Sequence, residues 1–143
     1  MDIAGHISQV NWLAVTVATI SAFLLGGIWY SKALFGAKWM AEIGLTEATA
    51  AQNNMKLTFG ATFVLQFLAA TTLAVLIGNQ STWYIGFHSG AIIGVLWIAT
   101  SYGVTYLFEQ RSLRLFFINA GYYVVCYSVM GSILGVWPQS APN

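Results

Sequence analysis

Residues 83–108 read WYIGFHSGAIIGVLWIATSYGVTYLF, a run without a single Asp, Glu, Lys or Arg. A helix needs roughly 20 predominantly apolar residues to cross about 30 Å of hydrocarbon. Because this run exceeds that length, it predicts a helix that spans a membrane. Three further apolar runs, at about 10–30, 55–77 and 113–136, predict an integral membrane four-helix bundle of the all-α class.

The composition of the chain fits this prediction and excludes several classes of protein. Of its 143 residues, 58% are hydrophobic and only 6% are charged, against roughly 25% charged in soluble domains. Four spans leave no room for a soluble domain, so we expect one four-span domain over residues 1–143. A formal net charge of +1 provides no basic surface for nucleic acid. With Cys126 as its only cysteine, the chain can form no internal disulfide.

The basic residues predict how the bundle is oriented. Lys32, Lys38 and Lys56 flank or occupy the first connection, and Arg111 and Arg114 lie in the third. Cytoplasmic connections carry an excess of Lys and Arg. We therefore expect both connections to face the cytoplasm and both termini to lie outside, in the periplasm of a bacterium whose inner membrane holds the protein.

The first connection contains a pattern of its own. Phe35, Trp39 and Ile43 recur at helical spacing, while Lys38 and Glu42 lie on another side. This pattern predicts a short amphipathic helix at about 33–44 that lies in the membrane interface. Gly44 should end this helix in a left-handed conformation. The segment is either a simple connector or an element that senses lipid or docks a partner.

Small residues mark faces on the last two spans. In the third span Gly86, Gly90 and Gly94 recur every four residues, and Trp97, Ser101 and Thr105 continue the same face. The fourth span carries Gly121, Gly131 and Gly135 with two serines. Small residues let helix backbones approach closely in lipid. We expect these glycines to pack helices, and a second surface on each helix to pack another copy or a larger membrane complex. The alternative is that both surfaces are internal or face lipid.

Few polar groups lie near the spans. Glu109 should reach the headgroup level, where it either pairs with Arg111 or Arg114 or contacts a ligand or ion. Asn119 and Gln66 lie inside spans and should bond neighbouring helices, because an unsatisfied amide in hydrocarbon is costly. His6 and His88 lie apart from any second ligand. We therefore expect no metal and no cofactor.

Two aromatic-rich motifs resemble a known family. GGIWYS at 26–31 is followed by Leu34-Phe35-Gly36, and INAGY occurs at 118–122. Together they resemble an uncharacterised family of small bacterial membrane proteins, domain of unknown function 1761. Lys32 stands where that family would have proline. The resemblance implies a four-pass fold without an established activity, and it directs attention to a candidate ligand-binding set at the inner rim: Trp29, Tyr30, Glu109, Asn119 and Tyr122.

Three functions remain open from the sequence. A structural or accessory protein that self-associates or docks on a membrane assembly requires no catalytic group. A small-molecule transporter or ligand-binding protein would use a site at the cytoplasmic rim, although a proton-coupled exporter would need a carboxylate at mid-membrane. An enzyme is not expected, since paired cysteines and a clustered His/Glu set are both absent.

Overall fold

The computed structural model describes residues 3–78 and 82–137, and every regular element in these two stretches is a helix. Four helices are long and apolar enough to cross a membrane, which confirms the predicted all-helical class. The sequence also predicts a short turn that begins at Asn79 and a stop of the fourth span at Pro138, and both residues lie outside the described part of the chain. The helices are α1 (Ile3–Ser8), α2 (Trp12–Trp29), α3 (Gly36–Ile43), α4 (Glu47–Ala50), α5 (Met55–Ile77), α6 (Trp83–Phe108) and α7 (Leu113–Val136).

Polar caps determine where the long helices begin. The Asn11 side chain accepts hydrogen bonds from the backbone of Leu13 and Ala14, both at 3.1 Å. Ser112 does the same for Leu115 at 3.0 Å. Each cap satisfies an amide that the first helical turn leaves without a partner. These polar residues therefore fix the ends of α2 and α7 within otherwise apolar sequence.

Helix α7 forms the centre of the bundle and buries more of its residues than any other spanning helix. Helices α2 and α6 pack on different sides of it, and α5 packs on α2 and α7. The packed interior includes Val15 of α2, Leu73 of α5 and Met130 of α7, each almost fully buried. The remaining helix surfaces are largely apolar and exposed, as expected of surfaces that face lipid.

Helix α6 approaches α7 through its glycines. A β-carbon at Gly86 would lie 2.0 Å from the carbonyl oxygen of Gly131, and one at Gly90 would lie 2.0 Å from that of Tyr127. A β-carbon at Gly94 would lie 2.7 Å from the α-carbon of Val124. No side chain fits at these distances, so the two backbones are in direct contact. These glycines are therefore used inside one chain.

A widened turn at Gly94–Ala99 changes the face that α6 presents beyond it. This π-helical segment adds a residue to the turn, which rotates the following face by about 100°. Gly94 is buried, whereas Trp97 is 63% exposed and Ser101 and Thr105 are also exposed. The prediction that these three residues continue the glycine face is wrong.

Helices α5 and α6 are packed over only part of their length. Residues 51–65 are all exposed, and α5 buries only Gln66, Ala70, Leu73 and Ala74. Helix α6 buries no residue beyond Gly94. The end of the bundle that carries all Lys and Arg residues is called the basic end below. The exposed surface that α5 and α6 present towards this end is called the cleft.

The first connection folds back on the end of α2. The amide of Phe35 donates to the carbonyl of Trp29 at 3.0 Å, and that of Gly36 donates to Ser31 at 2.9 Å. A β-carbon at Gly36 would lie 2.2 Å from the Tyr30 carbonyl oxygen, so only glycine fits this turn. Helix α3 then ends at Gly44, whose φ of 68° is the predicted left-handed cap. That helix α3 lies in the membrane interface stays a prediction.

Candidate functional site

A hydrogen-bonded chain of side chains joins α2, α7 and α6 near the basic end. The indole N–H of Trp29 donates to the carbonyl of Ile118 at 3.0 Å. The hydroxyl of Tyr30 donates to Oδ1 of Asn119 at 3.0 Å, and Nδ2 of Asn119 donates to the hydroxyl of Tyr106 at 2.7 Å. Asn119 thus bridges the first and third spanning helices from the central one.

A second polar contact lies one helical turn deeper, around Tyr122. Its hydroxyl donates to the backbone carbonyl of Ala22 at 3.1 Å and accepts from Nε2 of Gln66 at 3.3 Å. Gln66 is only 7% exposed, so its amide has little access to solvent. The Tyr122 ring also lies against Tyr30, with centroids 5.3 Å apart. Tyr122 therefore ties α2 and α5 to α7.

Four of the five candidate binding residues come together, and Glu109 does not. Trp29, Tyr30, Asn119 and Tyr122 form the contacts just described, whereas Glu109 is exposed after the end of α6. Its carboxylate pairs with Nε of Arg111 at 3.2 Å, which is the predicted ion pair at the rim. Because Glu109 and Arg111 are only two residues apart in one turn, they form this ion pair locally, and Glu109 takes no part in the hydrogen bonds described above.

The glycines predicted on α7 divide into two groups. Gly131 and Gly135 lie against Gly86 of α6, as described for the backbone contact. A β-carbon at Gly121 would instead lie 3.5 Å from Cζ2 of Trp29, so Gly121 faces an indole ring of α2. One helix therefore uses small residues on two sides, against two different neighbours.

Tyrosines that the sequence does not connect form a ladder on α6 and α7. The rings of Tyr102 and Tyr106 lie 5.4 Å apart edge to face, and Tyr102 stacks on Tyr123 at 5.6 Å. The four-residue spacing of Tyr102 and Tyr106 places them on one helix face and could have revealed the first contact. The stacking on Tyr123 depends on how α6 and α7 pack, which the spacing alone does not encode.

A cavity of about 190 Å³ lies between α5, α6 and α7, away from the basic end. Leu73 of α5, Trp97 of α6 and Tyr127 of α7 line this cavity. On α5, Thr62 and Thr58 lie seven and eleven residues before Ala69, which also lines the cavity, so helical spacing places all three on the same face. On α6, Ser101 and Thr105 follow Trp97 at four-residue intervals. Small hydroxyl side chains therefore lie along both walls, which neither helix covers.

The hydroxyls of Thr62 and Ser101 are satisfied by their own helices. Thr62 donates to the carbonyl of Thr58 at 2.7 Å, and Ser101 donates to that of Trp97 at 2.6 Å. A serine or threonine that bonds back in this way can face lipid at low cost. The small size of these side chains still permits close approach of another helix.

Among residues 3–78 and 82–137, no three His, Cys, Asp or Glu side chains are close enough to hold a metal ion. The Nδ1 atom of His88 contacts the Tyr84 carbonyl in its own helix at 2.8 Å, and the His6 side chain lies outside the described set. Lys32 hydrogen-bonds Glu47 and so lowers the pKa of that carboxyl. The polar chain can hold helices together or present hydroxyls to a ligand.

Comparison with known proteins gives one match. The sequence model of a family described as "Protein of unknown function (DUF1761)" matches residues 13–135, which include the polar chain and all but the first residue of α2 and the last of α7 among the four spanning helices. No curated protein and no solved structure matches the chain.

Proposed function

We propose that this chain, which belongs to the DUF1761 family, is a non-catalytic accessory membrane protein that receives a transmembrane helix of a second subunit in its cleft. The observation that carries the proposal is the lack of burial along the basic halves of α5 and α6. In a four-helix bundle of this length, neighbouring helices normally cover each other along most of their extent. Here residues 51–65 are exposed throughout.

The lining of the cleft indicates what would fill it. Thr58 and Thr62 on one wall, and Ser101 and Thr105 on the other, repeat at four-residue intervals. Helix association in membranes relies on small residues at this spacing, since lipid provides no hydrophobic drive between helices. A helix inserted here would gain packing that lipid chains do not provide.

The role differs from docking through the glycines of α6 and α7. Gly86, Gly90 and Gly131 are occupied within the chain, so the surface offered to a partner is the cleft. We further propose that the basic end faces the cytoplasm, that both termini lie outside, and that the protein resides in a bacterial inner membrane. The one-sided distribution of Lys and Arg supports this orientation.

The docking role can be tested by native mass spectrometry of the protein extracted with its own lipids. We expect the wild type to carry a second subunit, and Thr62→Trp to lose it because the indole blocks the cleft. Gly60→Trp is the matched control, since position 60 is two residues away on the opposite helix face and has no atom within 4 Å. A monomeric wild type, or equal loss in both variants, would contradict the proposal.

A second function is favoured by one specific observation, the row of aromatic hydroxyls beside the cleft. Tyr102, Tyr106 and Tyr123 are only half-buried, and phenols combine apolar contact with a polar tip. Such a wall suits an amphiphilic small molecule, as a ligand-binding protein or transporter would need. The same spectra distinguish this function, because it would add a small mass to the monomer and no second chain.

A further inference from the structure

The charges at the basic end are unevenly matched. Lys32 pairs with Glu47, Arg111 with Glu109 at 3.2 Å, and Arg114 with Glu42 at 3.5 Å. Each acidic side chain in the described parts of the chain thus has a cation. Lys38 and Lys56 have no such partner there.

Lys38 differs from Lys56 in lining a pocket. A recess of about 390 Å³ lies between α3, α2 and α7, with Lys38 and Arg114 among its lining residues. The remaining wall is largely aromatic and apolar, from Trp29, Phe35, Phe117 and Gly121. Lys56 is absent from this lining. The recess therefore combines two cations with an apolar surface.

Contacts with neighbouring residues hold the apolar wall of the recess in place. The Trp29 indole is fixed by its hydrogen bond to Ile118 at 3.0 Å and by the Phe35 ring, whose centroid lies 4.8 Å away. Gly121 leaves the recess open beside that indole, since even a β-carbon would lie 3.5 Å from it. A larger residue at position 121 would occupy the space.

The recess extends along α7 from Arg114 to Gly121. Gly121 lies seven residues beyond Arg114 on α7, which is about 10 Å along the helix axis. The Glu42 carboxylate pairs with Arg114 and also accepts a hydrogen bond from the hydroxyl of Ser112. The local charge of Lys38, Arg114 and Glu42 together is therefore one positive, which matches a single phosphodiester.

We propose that this recess binds an anionic phospholipid. The phosphate lies between Lys38 and Arg114, and one acyl chain lies along Trp29 and Gly121. Basic pockets between spanning helices have the chemistry that recognises acidic headgroups. A soluble anion would use the two cations but not the apolar wall, and a zwitterionic lipid would gain less from the net charge. The inference is independent of the docking role, because the recess lies between different helices from the cleft.

The test is a native mass spectrometry titration of the detergent-purified protein with phosphatidylglycerol and, separately, with phosphatidylcholine. We expect phosphatidylglycerol to bind more tightly, and Lys38→Gln to weaken its binding about fivefold, as expected for one basic residue near an acidic lipid. Lys56→Gln removes the same charge from the same connection outside the recess and should leave the affinity unchanged. Equal binding of the two lipids, or equal weakening by both variants, would overturn the site.

A second pair of variants tests the apolar part. Gly121→Leu fills the recess and should abolish tight phosphatidylglycerol binding, while Gly103→Leu, which adds the same bulk on α6, should retain it. Far-ultraviolet circular dichroism checks that both variants keep their helices. Full binding by Gly121→Leu, or displacement of the lipid by millimolar inorganic phosphate, would show that no acyl chain lies in the recess. If Gly121→Leu fails to fold, the Lys38 and Lys56 pair decides.

Discussion

At the scale of single residues, the protein depends on buried polar groups that satisfy one another. Gln66 lies almost fully buried within a spanning helix, and Tyr122 provides a side-chain partner for its amide. An amide left without a partner in hydrocarbon costs free energy, although hydrogen bonds between membrane helices average less than 1 kcal/mol because the unfolded chain also finds partners. Tyr122 therefore contributes to the stability of the fold.

Replacing Tyr122 by phenylalanine should lower the free energy of unfolding by about 1 kcal/mol. The change removes the hydroxyl that donates to Ala22 and accepts from Gln66. Reversible unfolding in mixed detergent micelles measures the effect. Adding Gln66→Leu to Tyr122→Phe should cost less than the two single changes summed, since the leucine leaves no amide to satisfy. Strict additivity would contradict the contact, and Tyr84→Phe at an exposed position is the control.

The candidate binding residues illustrate what the sequence can and cannot predict. The resemblance to the family directs attention to Trp29, Tyr30, Asn119 and Tyr122 at the inner rim, and the structure places these four residues in contact. Glu109 was grouped with them because it is the acidic residue nearest a span. Its side chain follows the local turn towards Arg111 instead. Whether any of these residues binds a ligand stays a prediction.

At the scale of elements, glycine contact between α6 and α7 sets the closest packing in the molecule. Gly90→Ala would place a β-carbon 2.0 Å from the Tyr127 carbonyl oxygen and so force the helices apart. We expect a loss of about 2 kcal/mol or more in the free energy of unfolding. Gly60→Ala is the matched control, because position 60 has open space and alanine is the better helix former. Equal stability of the two variants would show that α6 and α7 pack less closely.

The widened turn in α6 shows why an element can be predicted while its faces are not. The length and apolar character of residues 83–108 suffice to predict a spanning helix. A single helix face from Gly86 to Thr105 requires a uniform helix, and the π-helical turn at Gly94–Ala99 interrupts it. Nothing in the residue types marks this turn, because it depends on how α6 meets α7.

At the scale of the whole molecule, the distribution of charge predicts the orientation in the membrane. Ala37 lies in α3 at the basic end, and Thr82 lies before α6 at the opposite end. In a Cys126→Ser background, Thr82→Cys should react with a membrane-impermeant maleimide in intact cells. Ala37→Cys should react only after the cells are permeabilised. The reverse pattern would invert the proposed topology.

The architecture of the bundle is only partly legible in the sequence. Hydropathy predicts four spanning helices, and the polar segments between them predict where each helix begins and ends. The central position of α7 and the divergence of α5 from α6 follow from side-chain packing between segments far apart in sequence. Single-residue patterns carry no information on that divergence, and the cleft on which the proposed function depends became visible only in the structure.

The central claim is that the cleft holds a helix of another subunit in the native membrane. A photoreactive benzoylphenylalanine introduced in place of Thr62 or of Ser101 tests it most directly, with the same residue at Gly60 as the control. We predict a covalent protein adduct of defined mass from positions 62 and 101 and none from position 60. Adducts with lipid alone from positions 62 and 101, or an equal protein adduct from position 60, would contradict the account.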